Sequence, residues 1–225
     1  MPPSPRCNGG GAMCKRKTRG GNVAPAACRG RCAAARYNRA MAKLPIIHAR
    51  RDVAQSNFLR AEQLDLEFSN GECRTYERLK SHGLGAVIIV PMLDEQTVLL
   101  VNEYAAGLGR YELGLPKGRL DQDETVEQGA DRELKEEVGY GARRLTILHH
   151  LSLAPAYMTH MAHIVLAQDL YPERLQGDEP EELEVVPWKL DELHTLIARD
   201  DVTEGRSIAA LFLAREYLAG RFVRA

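Results

Sequence analysis

No stretch of this chain approaches the roughly 18 consecutive apolar residues of a bilayer-spanning helix, so a membrane-embedded function is not expected. Acidic residues are absent from positions 1–40, which hold nine Lys or Arg. The near-neutral formal charge of −1 is therefore a sum of unlike parts: residues 41–225 carry 21 basic and 31 acidic side chains, a net of −10. A body that acidic repels polyanions and is a poor non-specific binder of nucleic acid. Cysteine is nearly missing from it as well. Cys73 stands alone there, which excludes a disulfide within the body and suits the reducing cytoplasm. The other four, Cys7, Cys14, Cys28 and Cys32, have no common zinc spacing and few apolar neighbours. The basic segment also lacks the Ser content and amphipathic period of a transit peptide. Met41-Ala42-Lys43-Leu44-Pro45 reads as a natural start, and residues 1–40 as an upstream, unfolded extension. Residues 41–225 suffice for one domain with a full core, and no internal repeat divides them.

What is present is concentrated between Gly118 and Tyr140. Glu133, Glu136 and Glu137 follow an i, i+3, i+4 spacing that puts three carboxylates on one side of an α-helix, with Glu127 on the same track. Like charges so placed repel, and a bound divalent cation with hard oxygen ligands, Mg²⁺ or Mn²⁺, is the simplest compensation. Val126, Ala130, Leu134 and Val138 form the opposite, apolar stripe and are expected to pack on a sheet. Lys117-Gly118-Arg119 reads as a sharp turn before the helix, and Thr125 with Gln128 as a capping box.

Around this segment the pattern is mostly extended. Residues 63–68 alternate as a half-buried strand, Asn70-Gly71 signals a type I′ hairpin, and residues 73–79 return as its partner. Residues 86–90 and 98–101 are short apolar runs of the buried-strand kind, and further strands are predicted at 111–115, 145–153, 163–167 and 184–188. Amphipathic helices are predicted at 190–198 and at 207–218, the second with Ile208, Leu211, Phe212, Arg215 and Leu218 in helical period. The order predicts an α/β fold, an α/β/α sandwich around a mixed sheet with an N-terminal β-hairpin addition.

Gly118, Glu124, Arg132, Glu133, Leu134, Glu136, Glu137, Gly139 and Tyr140 stand in the register G-x5-E-x7-R-E-U-x-E-E-x-G-U, U being apolar or aromatic. The segment resembles the box of the Nudix hydrolases and departs from it nowhere. The resemblance implies the Nudix fold. It also implies that Glu133, Glu136, Glu137 and the main-chain carbonyl of Lys117 hold the metal, while a Glu124–Arg132 ion pair orients the ligand helix. Arg78-Leu79, Ile89-Val90-Pro91, Asn102-Glu103-Tyr104, Tyr111-Glu112-Leu113 and Ala154-Pro155 resemble the ADP-ribose pyrophosphatase branch. Residues 66–71, 111–114, 167–173 and 177–181 are similar to its hydrolases of ADP compounds. The implied reaction is metal-dependent hydrolysis of the diphosphate in ADP-ribose, NADH or short diadenosine polyphosphates, with release of AMP. Pro155, fifteen residues beyond Tyr140, agrees with an ADP-ribose-type member, and a Ser-Gln-Pro-Trp-Pro-Phe-Pro run typical of NADH pyrophosphatases is absent.

In the acidic loop 177–182, Glu181 is the first candidate for the general base and Glu179 the second. Arg78, Glu103, Arg110 and Glu112 are candidate substrate contacts, with Tyr104 or Tyr111 to stack on adenine. His149, His150, His160 and His163 read as strand residues rather than ligands. A homodimer joined through the 60–80 hairpin is implied by the family. Two rivals are a non-catalytic ADP-ribose-binding module, disfavoured by the intact glutamates, and an RNA decapping hydrolase, disfavoured by the acidic body.

Overall fold

The computed structural model describes residues 43–56, 60–81, 83 and 85–222. The zinc and transit-peptide readings of the basic segment fall outside those residues, as do Met41 and Ala42 of the start-site reading. The alternation after residue 60 does form a hairpin, but a third strand joins it. Ile46–Gln55 (β1), Arg60–Glu67 (β2) and Cys73–Lys80 (β3) make an antiparallel sheet in the order β1-β2-β3. β1 was not expected. It is almost wholly exposed, so no buried face stamps a period of two on it. The hairpin is also not type I′. Phe68 N donates to Glu72 O, Gly71 N donates to Phe68 O, and Gly71 alone of the turn residues has positive φ, +82°. A type I′ turn needs two such residues, so the longer loop spends only one left-handed position.

The continuous apolar runs become strands covered on both sides. Ala86–Pro91 (β4) is buried throughout, as is the first half of Thr97–Ala105 (β5). Arg110–Gly114 (β6) pairs with β5. Lys117–Arg119 (β7) pairs with β4, so the expected sharp turn is instead a short edge strand. After Val126–Glu133 (α1), Tyr140–Ser152 (β8) and Met161–Pro172 (β9) form a long antiparallel pair, and β9 runs parallel to β4. That one parallel pairing makes the four-stranded sheet β7-β4-β9-β8 mixed. Glu184–Lys189 (β10) completes the sheet β10-β5-β6. β8 ends at Ser152, where Ala154–Tyr157 turns around Pro155 and Tyr157 N donates to Ala154 O.

Period-two alternation splits the core between two layers. Ile88, Val90, Val98 and Leu100 face one way and pack with Leu193–Leu196 (α2) and Gly205–Leu218 (α3). Val87, Ile89, Leu99 and Val101 face the other way, onto Ala130, Leu134 and Val138. The stripe expected on the box helix is thus buried, and the α/β/α arrangement follows from helices covering both faces. Two helix expectations shift. The segment after β10 forms only a 3₁₀ turn, Leu190–Glu192, and the short α2. On α3 the buried stripe is Ser207, Ala210, Leu211 and Ala214, three of them small residues that let the helix approach the sheet, whereas Ile208 and Phe212 are partly buried and Leu218 is exposed.

Candidate active site

Thr125 starts α1 as a full capping box: its hydroxyl accepts from Gln128 N at 3.2 Å and the Gln128 side chain accepts from Thr125 N at 2.9 Å. After Glu133 the helix widens into one π-helical turn, Leu134–Val138, and stops at Gly139, whose φ of +81° suits only glycine at low cost. The carboxylates therefore leave the helix from an α turn and a π turn in succession. Glu133, Glu136 and Glu137 still line one cleft of about 470 Å³, with Glu103, Lys117 and Glu179. Glu127 is exposed on the helix and does not line it.

Arg132 holds this wall together. Its guanidinium donates to Glu124 at 2.7 and 3.0 Å, to Glu133 at 2.8 Å, to Glu136 at 2.9 Å and to the Arg119 carbonyl at 2.9 Å. The Glu124–Arg132 pair is thus formed, and that hydrogen bond holds the Glu124 carboxyl below its ordinary range. Glu133 and Glu137 are 7% and 3% exposed, too deep for an unpaired charge. Burial pushes the first up to about 7 and the second up to about 8, although Arg132 and the Lys117 ammonium and N–H, respectively, act in the opposite direction. Glu137 accepts from Lys117 N at 3.0 Å, and Lys117 Nζ pairs with Glu103. Gly118 sits against Glu133: a Cβ there would lie 2.0 Å from the carboxylate.

Among the described residues no three acid, histidine or cysteine side chains stand ready as a complete ligand set. Arg132 and the Lys117 N–H occupy their oxygens. The donor chemistry nevertheless fits a hard divalent cation. Every side chain offered is a carboxylate, and burial disfavours the ionised form of two of them, a cost that a bound cation would offset.

The acidic loop separates the two base candidates. Glu179 lines the cleft with the helix carboxylates, and its charge acts on Glu133. Glu181 lies beside it, next to Glu136, and accepts the Tyr111 hydroxyl at 2.5 Å. The substrate candidates scatter. Arg78 pairs with the buried Glu62 across β2 and β3, outside the cleft lining. Arg110 donates to Glu112 at 2.6 Å and to the Asp200 carbonyl at 2.9 Å, and Glu112 accepts from Thr203. Of the four, Glu103 alone lines the cleft. Tyr104 and Tyr111 meet edge to face with ring centroids 5.5 Å apart. His149 and His150 lie in β8, His163 in β9 and His160 just before it, and none lines the cleft. Sequence reading missed Arg119, Asp121 and Gln176 as cleft residues, and singled out the loop holding Gly177 and Asp178 only for its glutamates. A Gly ahead of an acidic run was the available signal.

The family described as NUDIX domain matches residues 83–211, and that described as NudE-type Nudix hydrolase N-terminal domain matches residues 45–78. Over 169 residues the chain is 50% identical to the ADP compounds hydrolase NudE of Escherichia coli (strain K12), covering 75% of this chain and 90% of that protein. It is 30% identical over 149 residues to the ADP-ribose pyrophosphatase of Bacillus subtilis (strain 168), covering 65% of this chain and 80% of the relative. A crystal structure of an ADP compounds hydrolase superposes with a TM-score of 0.74 at 48% identity, covering 80% of this chain and 97% of that one.

Proposed function

The chain belongs to the Nudix hydrolase family, and from that premise we propose that it hydrolyses the diphosphate linkage of ADP compounds. The substrates are ADP-ribose, NADH and short diadenosine polyphosphates, and the products are AMP and the remaining phosphorylated moiety. The observation that carries the reading is the pair of buried carboxylates, Glu133 and Glu137, lining one cleft with Glu136 and braced by Arg132. The names of the relatives, an ADP compounds hydrolase and an ADP-ribose pyrophosphatase, support the substrate class.

Glu133, Glu136, Glu137 and the Lys117 carbonyl are the proposed oxygen ligands of Mg²⁺, with Mn²⁺ as a substitute. When bound, the cation neutralises the diphosphate and lowers the pKa of the attacking water. Arg132 keeps Glu133 and Glu136 oriented, and Glu124 keeps Arg132 oriented. Glu179 is the favoured base because it shares the cleft; Glu181, already bonded to Tyr111, is the alternative. The base takes a proton from water as oxygen attacks phosphorus, and the bridging P–O bond breaks.

A cytoplasmic location and a homodimer joined through the N-terminal sheet complete the reading. Cys73 as the sole cysteine of residues 41–225 supports the first, and exposed Ile46, Ile47 and Val53 on β1 support the second. No described helix is long and apolar enough to cross a membrane. Incubation of ADP-ribose with the protein and Mg²⁺, followed by chromatography for AMP, tests the function. Binding without AMP release would leave only a sensor module.

A further inference from the structure

Residues 173–183 join β9 to β10 without helix or strand, yet Gln176, Gly177, Asp178 and Glu179 form part of the cleft wall. An irregular segment holds a side chain at one point only when contacts from a rigid element fix its course. Those contacts come from the π turn. Glu173 N donates to Gly139 O at 3.1 Å, and Leu175 N donates to Lys135 O at 3.2 Å. Lys135 Nζ reaches Glu173 at 2.9 Å and Asp131, one turn back on α1, at 2.8 Å. Asp131 is held in turn, accepting from Ala142 N at 3.0 Å. The Lys135 side chain is only 14% exposed, and its stem crosses Gly141, where a Cβ would lie 2.8 Å from Lys135 Cε and 2.6 Å from the Tyr171 hydroxyl. Farther along the loop, a Cβ on Gly177 would stand 3.4 Å from Glu136 Cβ, so the chain runs close against a proposed ligand. The Arg174 guanidinium lies over Gly139 and faces Glu182 at 3.5 Å.

We propose that Lys135 is a positioning residue of the hydrolysis: by clamping Glu173 against Asp131 it seats the acidic loop on the π turn and so holds Glu179 at the cleft. The inference rests on the hydrolase reading and on Glu179 as its base. An Asp131–Lys135 pair alone would be an ordinary i, i+4 contact along one helix. Glu173 makes it more, because it stands outside the helix at the entry of the loop, six residues before Glu179. The ammonium is shielded and shared by two carboxylates, a better-ordered arrangement than a pair in open water. One turn of the chain thereby serves two ends: Glu136 and Glu137 point to the cleft, and Lys135, which does not line it, ties down the segment that completes it.

A double-mutant cycle on the full chain tests this. Lys135→Met keeps the stem and removes the ammonium. With ADP-ribose it should lower kcat about tenfold or more, while KM and the Mg²⁺ concentration for half-maximal rate stay within about threefold. In a Glu179→Gln background the same substitution should change kcat by less than about twofold, since the group it positions is already gone. Glu173→Gln breaks the clamp from the loop side at a position 44% exposed and off the helix, so it tests the proposal even if Lys135→Met does not fold; its kcat should fall with Lys135→Met to within about threefold. Hydrogen–deuterium exchange read on peptides covering 173–183 should quicken about tenfold in both variants, with α3 unchanged. Equal kcat losses with and without Glu179 would overturn the inference by placing the effect on the ligands, and so would loop exchange at the wild-type rate. If the wild type released no AMP, or if Glu179→Gln alone kept the full rate, the hydrolase or the base reading would fail on that result, while the exchange rates would still decide whether Lys135 seats the loop.

Discussion

Gly118 and Glu133 share a space too small for one more methyl group. The Glu133 carboxylate is buried and bonded to Arg132, so it cannot retreat cheaply from a Cβ 2.0 Å away. Gly118→Ala should therefore lower kcat by about tenfold or more while changing stability by only about 1–3 kcal/mol; steady-state rates alongside thermal melts would check this. Glu137→Gln should lose turnover by about two orders of magnitude or more and melt no earlier than wild type without metal, because burial disfavours the ionised carboxylate and the amide stays neutral. An unchanged rate would remove Glu137 from the metal site. Asp169 is the sole described non-glycine residue with positive φ, +55° in β9. Asp169→Gly should raise stability by up to about 1 kcal/mol in a denaturant titration, less whatever its pair with Arg144 contributes. At this scale sequence reading succeeded where chemistry is local. The Glu124–Arg132 pair, implied by the family resemblance, is formed, whereas the candidate contacts Arg110 and Glu112 meet Asp200 and Thr203, about ninety residues away along the chain.

Among the elements, α1 was legible because its capping box and apolar stripe are both short-range patterns. Its π turn was not, since widening by one residue leaves the glutamate spacing in sequence unchanged. The fourteen residues of α3 depend on a different cap. Glu204 accepts from Arg206 N and Ser207 N, and from the Arg206 and Ser207 side chains. Burial pushes its carboxyl up, but the bonds from Arg206 and Ser207 outweigh that and leave it below the ordinary value. Its ionised form therefore stabilises the fold above the unfolded-state pKa of about 4.3, and that contribution is lost as pH falls through the lower folded value. Glu204→Gln should cost about 1 kcal/mol at pH 7 and progressively less below about pH 4, as read from denaturant midpoints across pH. A gap independent of pH would place the stabilisation in packing and not in charge.

For the whole molecule, a cation that binds the folded cleft adds stability by mass action. Mg²⁺ at a hundred times its Kd should contribute about 2.7 kcal/mol, or about 5–10 °C in Tm for a chain of this size. Chelation should reverse the shift and stop AMP release, and Glu137→Gln should show little of either. All cleft residues lie within residues 103–179, and the family matches begin at residue 45. Removal of residues 1–42 should accordingly leave ADP-ribose turnover within about twofold, a result that equal-concentration assays of the two lengths can decide.

The sequence alone carried the reaction class, through the resemblance of residues 118–140 to the Nudix box, and the layer order, through the paired apolar runs and the helical stripe, because these are short-range patterns. Only the tertiary structure decided which distant groups meet. It brought Glu179 into the cleft in place of Glu181, turned Arg110 and Glu112 onto Asp200 and Thr203, and added β1 to the hairpin. Those outcomes depend on loop paths and sheet pairing across tens of residues, where spacing along the chain carries no direction in space.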